Sequence, residues 1–311
     1  MFMIAWLSSR LNAPASETQV THRARLWLYA IAALALAFLV IPTLIVIPMS
    51  FSASQYLEFP PREWSLRWYR NYFDSTSWMQ ATATSFKAGF LTVVVATPLG
   101  TLAAYGLFVS RLRFAKAIHV ALITPIIVPV ILAGIAIFYV YVKLKLVNSL
   151  TGLVLAHSML AIPLVMMIVT SALKSYDMNQ EMVARSLGAS RPRAFLMVTL
   201  PQIRFAVVTS AVLSFLTSFD EVIVALFVSG GSNSTLTRNM FNALRDQIDP
   251  TIAAISTTMV LVTTVLLVLA QLGGRGLPAP TSRFSQATPS RHSRRAPAAA
   301  RRLHAGSARR H

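Results

Sequence analysis

Five polar side chains stand together in an otherwise apolar stretch: Ser214, Thr217, Ser218, Asp220 and Glu221. Positions 214, 217, 218 and 221 follow the i, i+3, i+4, i+7 spacing of one helix face, so a helix through them carries a polar stripe. Asp220 lies about 100° around the helix from Glu221, close enough for both carboxylates to border one cavity. The chemistry open to such a group is attraction of a cation, with protein oxygens replacing its water. Charged groups within an apolar span are costly and face a bundle interior or a water-filled path. Two readings stay open at this point. The stripe is either a cation-attracting lining or gate, or a structural pair near the outer end of a span that bonds a neighbouring helix.

Bond-breaking chemistry finds little support. There is no Gly-x-x-x-x-Gly-Lys-Ser/Thr loop, so the chain is not expected to bind ATP by that device. The six histidines, His22, His119, His157, His292, His304 and His311, include no pair at the spacing of a helical metal site. The absence of cysteine removes disulfides and thiolate catalysis. Gly230-Gly231 reads as a loop after an apolar run rather than a nucleotide fingerprint. His157, in the same run as Pro163, reads as an interfacial hydrogen-bonding residue rather than a substrate ligand. No cofactor and no metal is therefore expected on this chain.

The elements that must hold these residues are membrane spans. The 311 residues are 55% hydrophobic and 12% charged, with a mean hydropathy of +0.60. That is too apolar for an ordinary soluble domain. About 20 apolar residues cross a bilayer core. Six runs qualify, at roughly 26–49, 85–109, 117–142, 150–173, 205–228 and 251–272. The third contains Pro125 and Pro129, tolerated if neighbouring groups satisfy the freed carbonyls. The first run is too long for a signal-peptide core. Between the first two runs, Phe59-Pro60-Pro61, Trp64, Trp68 and Tyr69 predict an ordered aromatic loop at the membrane interface, the aromatics packing within it. Three segments follow: 1–25, a membrane domain at 26–272, and a basic, low-complexity tail at 273–311.

Six spans place both termini on one side. Twenty of the 28 Lys and Arg residues fall on that side, nine of them arginines from Arg275 to Arg310, and eight on the other. The positive-inside rule makes the richer side cytoplasmic. The net charge of +18 is thus concentrated beside a membrane, where anionic headgroups rather than nucleic acid are the expected partners.

Between the fourth and fifth runs, Lys174 to Arg204 is polar. Asp177 with Gln180 predicts a capping box. Gly188 predicts a left-handed helix stop, Pro192 a new helix start, and Leu200-Pro201 a boundary or kink. This segment resembles the cytoplasmic signature of ABC importer permeases: Glu-Ala-Ala, three residues, Gly, nine residues, Ile, one residue, Leu-Pro. Ala184, Gly188, Leu200 and Pro201 match it. Met182 and Val183 depart, Val198 replaces the Ile, and Glu181 stands one residue before the triplet. The first loop and Ser218-Phe219-Asp220-Glu221-Val222-Ile223-Val224 resemble spermidine/putrescine importer permeases. The resemblance spans about 26–272.

It implies an all-α membrane protein of the type I importer fold, with six transmembrane helices and coupling helices between the fourth and fifth. It implies a bacterial inner membrane location and transport of polyamines. The expected partners are two ATPase subunits carrying ATP and Mg, a second and different permease chain, and an extracytoplasmic solute-binding protein. Glu181, Ala184, Gly188, Leu200 and Pro201 would form the ATPase-coupling loop. Asp220, Glu221, Ser218, Ser214 and Thr217 would border the substrate pathway. Related permeases serve iron, thiamine or phosphonate. A stand-alone secondary transporter is the rival from another class, and it would call for an inverted repeat that the sequence does not display.

Overall fold

The structure is a computed structural model that describes residues 25–110, 112–246 and 249–274. The expected N-terminal segment and basic tail lie almost wholly outside these residues. The described chain is helical: α1 (Leu26–Met49), α2 (Arg67–Asp74), α3 (Thr76–Val109), α4 (Ala115–Ile123), α5 (Val130–Leu144), α6 (Leu150–Ser175), α7 (Asn179–Ser186), α8 (Arg191–Ala194), α9 (Leu200–Asp220), α10 (Ile223–Val228), α11 (Leu236–Asp246) and α12 (Thr251–Gly274). A π-turn at Phe195–Thr199 joins α8 to α9. Five helical stretches are long and apolar enough to cross a membrane, and the bent pair Ala115–Ile126 and Val130–Leu144 makes a sixth if it crosses as one unit.

The core is the packing of α3, α6 and α9. α3 turns small residues inward, among them Ala81, Ser85, Ala88, Thr92, Ala96, Gly100 and Ala104. Small residues let helix backbones approach closely where no water drives association. A Cβ on Gly100 would lie 2.7 Å from the Val165 Cβ and 3.1 Å from the Ile162 carbonyl oxygen. Gly100→Leu is therefore expected to separate α3 from α6. It should cost about 3 kcal/mol, the upper end for overpacking, read as a lower unfolding temperature of the purified protein in detergent. Ser149 starts α6 by accepting from the Gly152 N–H at 3.0 Å, as an N-cap side chain does. α1 buries none of its residues within the chain, as expected of a helix apolar all round that meets lipid or another subunit.

Two of the predicted spans differ from the sequence reading. The third is not one straight helix: its halves meet at 97° across 127–129. Pro125 and Pro129 remove two N–H donors within one turn, and proline disfavours helix in the residue before it. The fifth begins earlier than expected, at Arg191, and stops at Asp220. Glu221 leaves the helix at ψ 115. Its carboxylate accepts the Val224 N–H at 2.8 Å and caps α10. A carboxylate is unfavourable at a helix C-terminus and favourable at an N-terminus, so the break moves Glu221 from one to the other.

The aromatic loop is ordered as expected. Trp68 donates from Nε1 to the Ser54 carbonyl at 3.1 Å, Tyr69 and Ser50 share a hydrogen bond of 2.8 Å, and the Phe51 ring meets those of Trp64 and Tyr69 in tilted contacts.

Candidate functional site

Local rules build the 175–201 loop. α7 ends in a Schellman motif. The Gly188 N–H donates to the Arg185 carbonyl at 3.0 Å and the Ala189 N–H to the Ala184 carbonyl at 3.1 Å. Gly188 takes φ +96, the left-handed conformation that glycine adopts without strain. Pro192 sits in the first turn of α8. The capping box does not form. The Asp177 carboxylate accepts the Asn179 N–H at 3.0 Å, two residues on, and Gln180 instead accepts from the Gln202 side chain at 3.4 Å. Leu200-Pro201 does not end the helix. It marks the change from π-turn to α-helix, where the missing N–H falls in the first turn of α9.

The loop residues divide into an inner and an outer set. Glu181 is 2% exposed. Its carboxylate accepts from Tyr105 Oη at 2.6 Å and from Thr199 Oγ1 at 2.5 Å. The Tyr105 ring lies 4.4 Å from that of Phe195, so α3, α7 and the π-turn meet at this carboxylate. π-turns recur at functional sites. Leu200 packs on the α3–α6 core, and Ala184 is half-buried. Gly188 and Pro201 are exposed. Next to Gly188, Leu187 is 84% exposed, and Met182 and Val183 also project from α7. Glu181 thus braces the loop from within, and an apolar knob faces out.

The polar stripe of α9 splits in two. Ser214 and Ser218 are buried among the helices. Ser218 Oγ bonds His157 Nδ1 at 2.7 Å and Thr92 Oγ1 at 3.2 Å, tying α9 to α6 and α3. Ser214 donates to the Ser210 carbonyl of its own helix. Thr217, Asp220 and Glu221 face the other way, into a cleft of about 730 Å³ bounded by α9, α11 and α12. Asp220 is exposed and Glu221 half-buried, and both border this cleft, although the helix breaks between them. Helical spacing had put Ser214, Thr217, Ser218 and Glu221 on one stripe with Asp220 beside it, and the break at Glu221 and the neighbours of each serine separate them.

His157 makes the hydrogen bond expected of it, but its place is different: it is 1% exposed, inside the bundle. Sequence reasoning missed Tyr105, Thr199 and Thr92 altogether. Nothing in the local pattern distinguishes them from the hydroxyls that bond back to their own helix. Within the cleft, Thr237, Ser256 and Thr263 likewise carried no signal. Among the described residues no cluster of His, Asp or Glu has the arrangement of a metal site.

Residues 96–276 match the family described as binding-protein-dependent transport system inner membrane component. The chain is 30% identical over 237 residues to the spermidine/putrescine transport system permease protein PotC of Haemophilus influenzae, covering 76% of this chain and 91% of that one. It is 29% identical over 238 residues to the putrescine transport system permease protein PotI of Escherichia coli strain K12, covering 74% and 84%. Its fold is that of a bacterial alginate ABC transporter solved with a pentasaccharide-bound periplasmic protein, at a TM-score of 0.64 and 16% identity, covering 81% and 95%.

Proposed function

Because this chain belongs to the family of binding-protein-dependent transport system inner membrane components, and is the permease of an ABC importer, we propose that it carries polyamines across the bacterial inner membrane. Six spans, the bent α4–α5 pair counting as one, would form its path beside a second and different permease chain. Both termini and the 175–201 loop would face the cytoplasm. There α7 and α8 would act as coupling helices on an ATPase subunit, one of two that hold ATP and Mg. An extracytoplasmic binding protein would deliver the solute to the opposite end.

The observation that carries the coupling reading is the projecting knob of Leu187, Met182 and Val183, held out by the turn at Gly188 and braced from behind by Glu181. Apolar side chains so exposed on a loop between spans are the mark of a surface that another protein covers. ATP-driven closure of the ATPases would move α7, and the brace would pass the movement to α3 and α9. The polyamine assignment draws on what PotC and PotI are named for. It gains physical sense from Asp220 and Glu221, which line a cleft with no basic residue among its lining. A carboxylate pair there would hold ammonium groups that stay protonated at neutral pH.

The test is uptake of labelled putrescine and spermidine in cells with and without this chain, in a background lacking other polyamine importers. Unlabelled thiamine, iron and phosphonate serve as competitors. Deletion is expected to abolish ATP-dependent polyamine uptake. Asp220→Asn, at normal membrane levels, is expected to lower it about tenfold, the worth of one well-placed charge pair at roughly 1.4 kcal/mol. Unchanged polyamine uptake on deletion would overturn the substrate and leave the importer standing.

A further inference from the structure

α11 separates two clefts of opposite chemistry. Leu236, Thr237 and Met240 face the acidic cleft. Arg238, Asn239 and Asn242 line a second cleft of about 240 Å³, closed by the start of α3 and by the turn at 230–234. Its lining side chains are polar except for Ala81 and two glycines, and Arg238 is the one charged residue among them. The guanidinium is half-buried and reaches only neutral acceptors. Its Nη1 lies 3.5 Å from the Ala225 carbonyl and 3.4 Å from Ser229 Oγ, at the long limit for a hydrogen bond. Among the described residues no carboxylate pairs with it. Burial accordingly pulls its pKa below the ordinary arginine value, as for a cation that has lost water without gaining a counter-charge.

The cleft is built rather than incidental. A Cβ on Gly230 would come within 2.5 Å of Asn148 Oδ1 and 3.2 Å of Arg238 Nη1, so a side chain there would press on the Asn148 amide and the guanidinium. Gln80 Nε2 donates to the Ser232 carbonyl at 3.2 Å, and Asn233 Nδ2 to the Asn148 carbonyl at 2.8 Å. These bonds fix the turn to α3 and to the residues before α6. The cleft stands at the end of the bundle opposite the 175–201 loop.

We propose that this cleft is a docking point for the extracytoplasmic binding protein, and that it receives a carboxylate side chain of that protein on the Arg238 guanidinium. The proposal rests on the importer reading above. A planar guanidinium fork matches a carboxylate with two parallel hydrogen bonds, and the amides of Gln80, Asn239 and Asn242 can supply further donors. A polycationic solute would be repelled, so the solute itself is not the occupant. Docking here also has a route to the acidic cleft. Thr237, the neighbour of Arg238, donates from Oγ1 to the Glu221 carbonyl at 3.0 Å. A carboxylate drawing on Arg238 therefore pulls α11 against the break in α9, where Asp220 and Glu221 stand.

The experiment uses the assembled importer in lipid nanodiscs and measures ATP hydrolysis against the concentration of its binding protein. Arg238→Gln is expected to raise the half-stimulating concentration about tenfold or more, with the maximal rate within about twofold of wild type. Asn242→Asp keeps the arginine but neutralises it from within the cleft, and is expected to act in the same direction. It decides the matter should Arg238→Gln fail to assemble. Recovery of Arg238→Glu by one Asp- or Glu-to-Lys change on the binding protein would identify the carboxylate. An unchanged half-stimulating concentration in both variants overturns the proposal, as does a lower maximal rate at an unchanged concentration. A wild-type importer that ignores its binding protein would overturn the delivery by a binding protein proposed above, and the wild-type curve tells the two failures apart.

Discussion

Gly188→Asp is expected to abolish uptake while the chain stays folded and at its normal level in the membrane. Gly188 holds φ +96, and a Cβ there would meet nothing within 4 Å. The cost is thus conformational rather than a clash, and for Asp it is below the roughly 1–2 kcal/mol of most L side chains, because Asp and Asn visit the left-handed region. That cost falls on α7 alone, because the two Schellman bonds from Gly188 and Ala189 tie nothing but the end of this helix. The packing of α3, α6 and α9 is untouched. Fraying of the turn moves Leu187, the most exposed of the knob residues, away from the surface it would meet. The carboxylate would add a charge to an apolar contact, where desolvation makes it expensive. Uptake should fall more than tenfold. Gly188→Asn is the control, since asparagine also serves as a left-handed helix stop, and it should keep at least half the uptake. Wild-type uptake in Gly188→Asp, with normal membrane levels, would overturn the docking of this loop on an ATPase.

Gly188 was legible because a helix stop is a local device: a glycine, its helix and the two residues after it suffice. The first long helix was legible to the residue, Leu26 to Met49, because its unbroken apolar run exceeds a signal-peptide core and is long enough for a membrane-crossing helix. The fifth span shows where such reading fails. Apolar residues continue from Val222 to Val228, so periodicity carries the helix through. The chain stops it because Glu221 caps α10 better than it ends α9. The substrate-side residues failed in a related way. Spacing gave the right angles around α9 as far as Asp220, yet which angle meets His157 and which meets the open cleft depends on α6 and α12, distant in sequence. The same holds for the loop. Tyr105 lies 76 residues from Glu181, and no pattern near either one announces the other.

That long-range pair carries the second large expectation. Glu181→Leu should cut uptake about tenfold or more while ATP hydrolysis persists, and Glu181→Gln should keep most of the uptake. Glu181 stands in the first turn of α7 and bonds both α3, through Tyr105, and the π-turn, through Thr199. Leucine fills the space but leaves the buried Thr199 hydroxyl and the half-buried Tyr105 hydroxyl without this acceptor, at about 1–3 kcal/mol for the buried one and less for the other. The helix that would meet the ATPase then moves without taking α3 and α9 along. Glutamine restores both bonds, because its carbonyl accepts from one hydroxyl and its amide donates to the oxygen of the other. Tyr105→Phe removes one of the two bonds and should fall between. The informative quantity is solute carried per ATP hydrolysed in proteoliposomes. A brace that transmits force lowers this ratio when cut. A residue that merely holds the fold lowers hydrolysis, uptake and membrane level together, and leaves the ratio where it was. An unchanged ratio in Glu181→Leu would therefore assign Glu181 to stability alone, and would place the transmission from α7 in the contacts of Leu200 and Phe195 with the core.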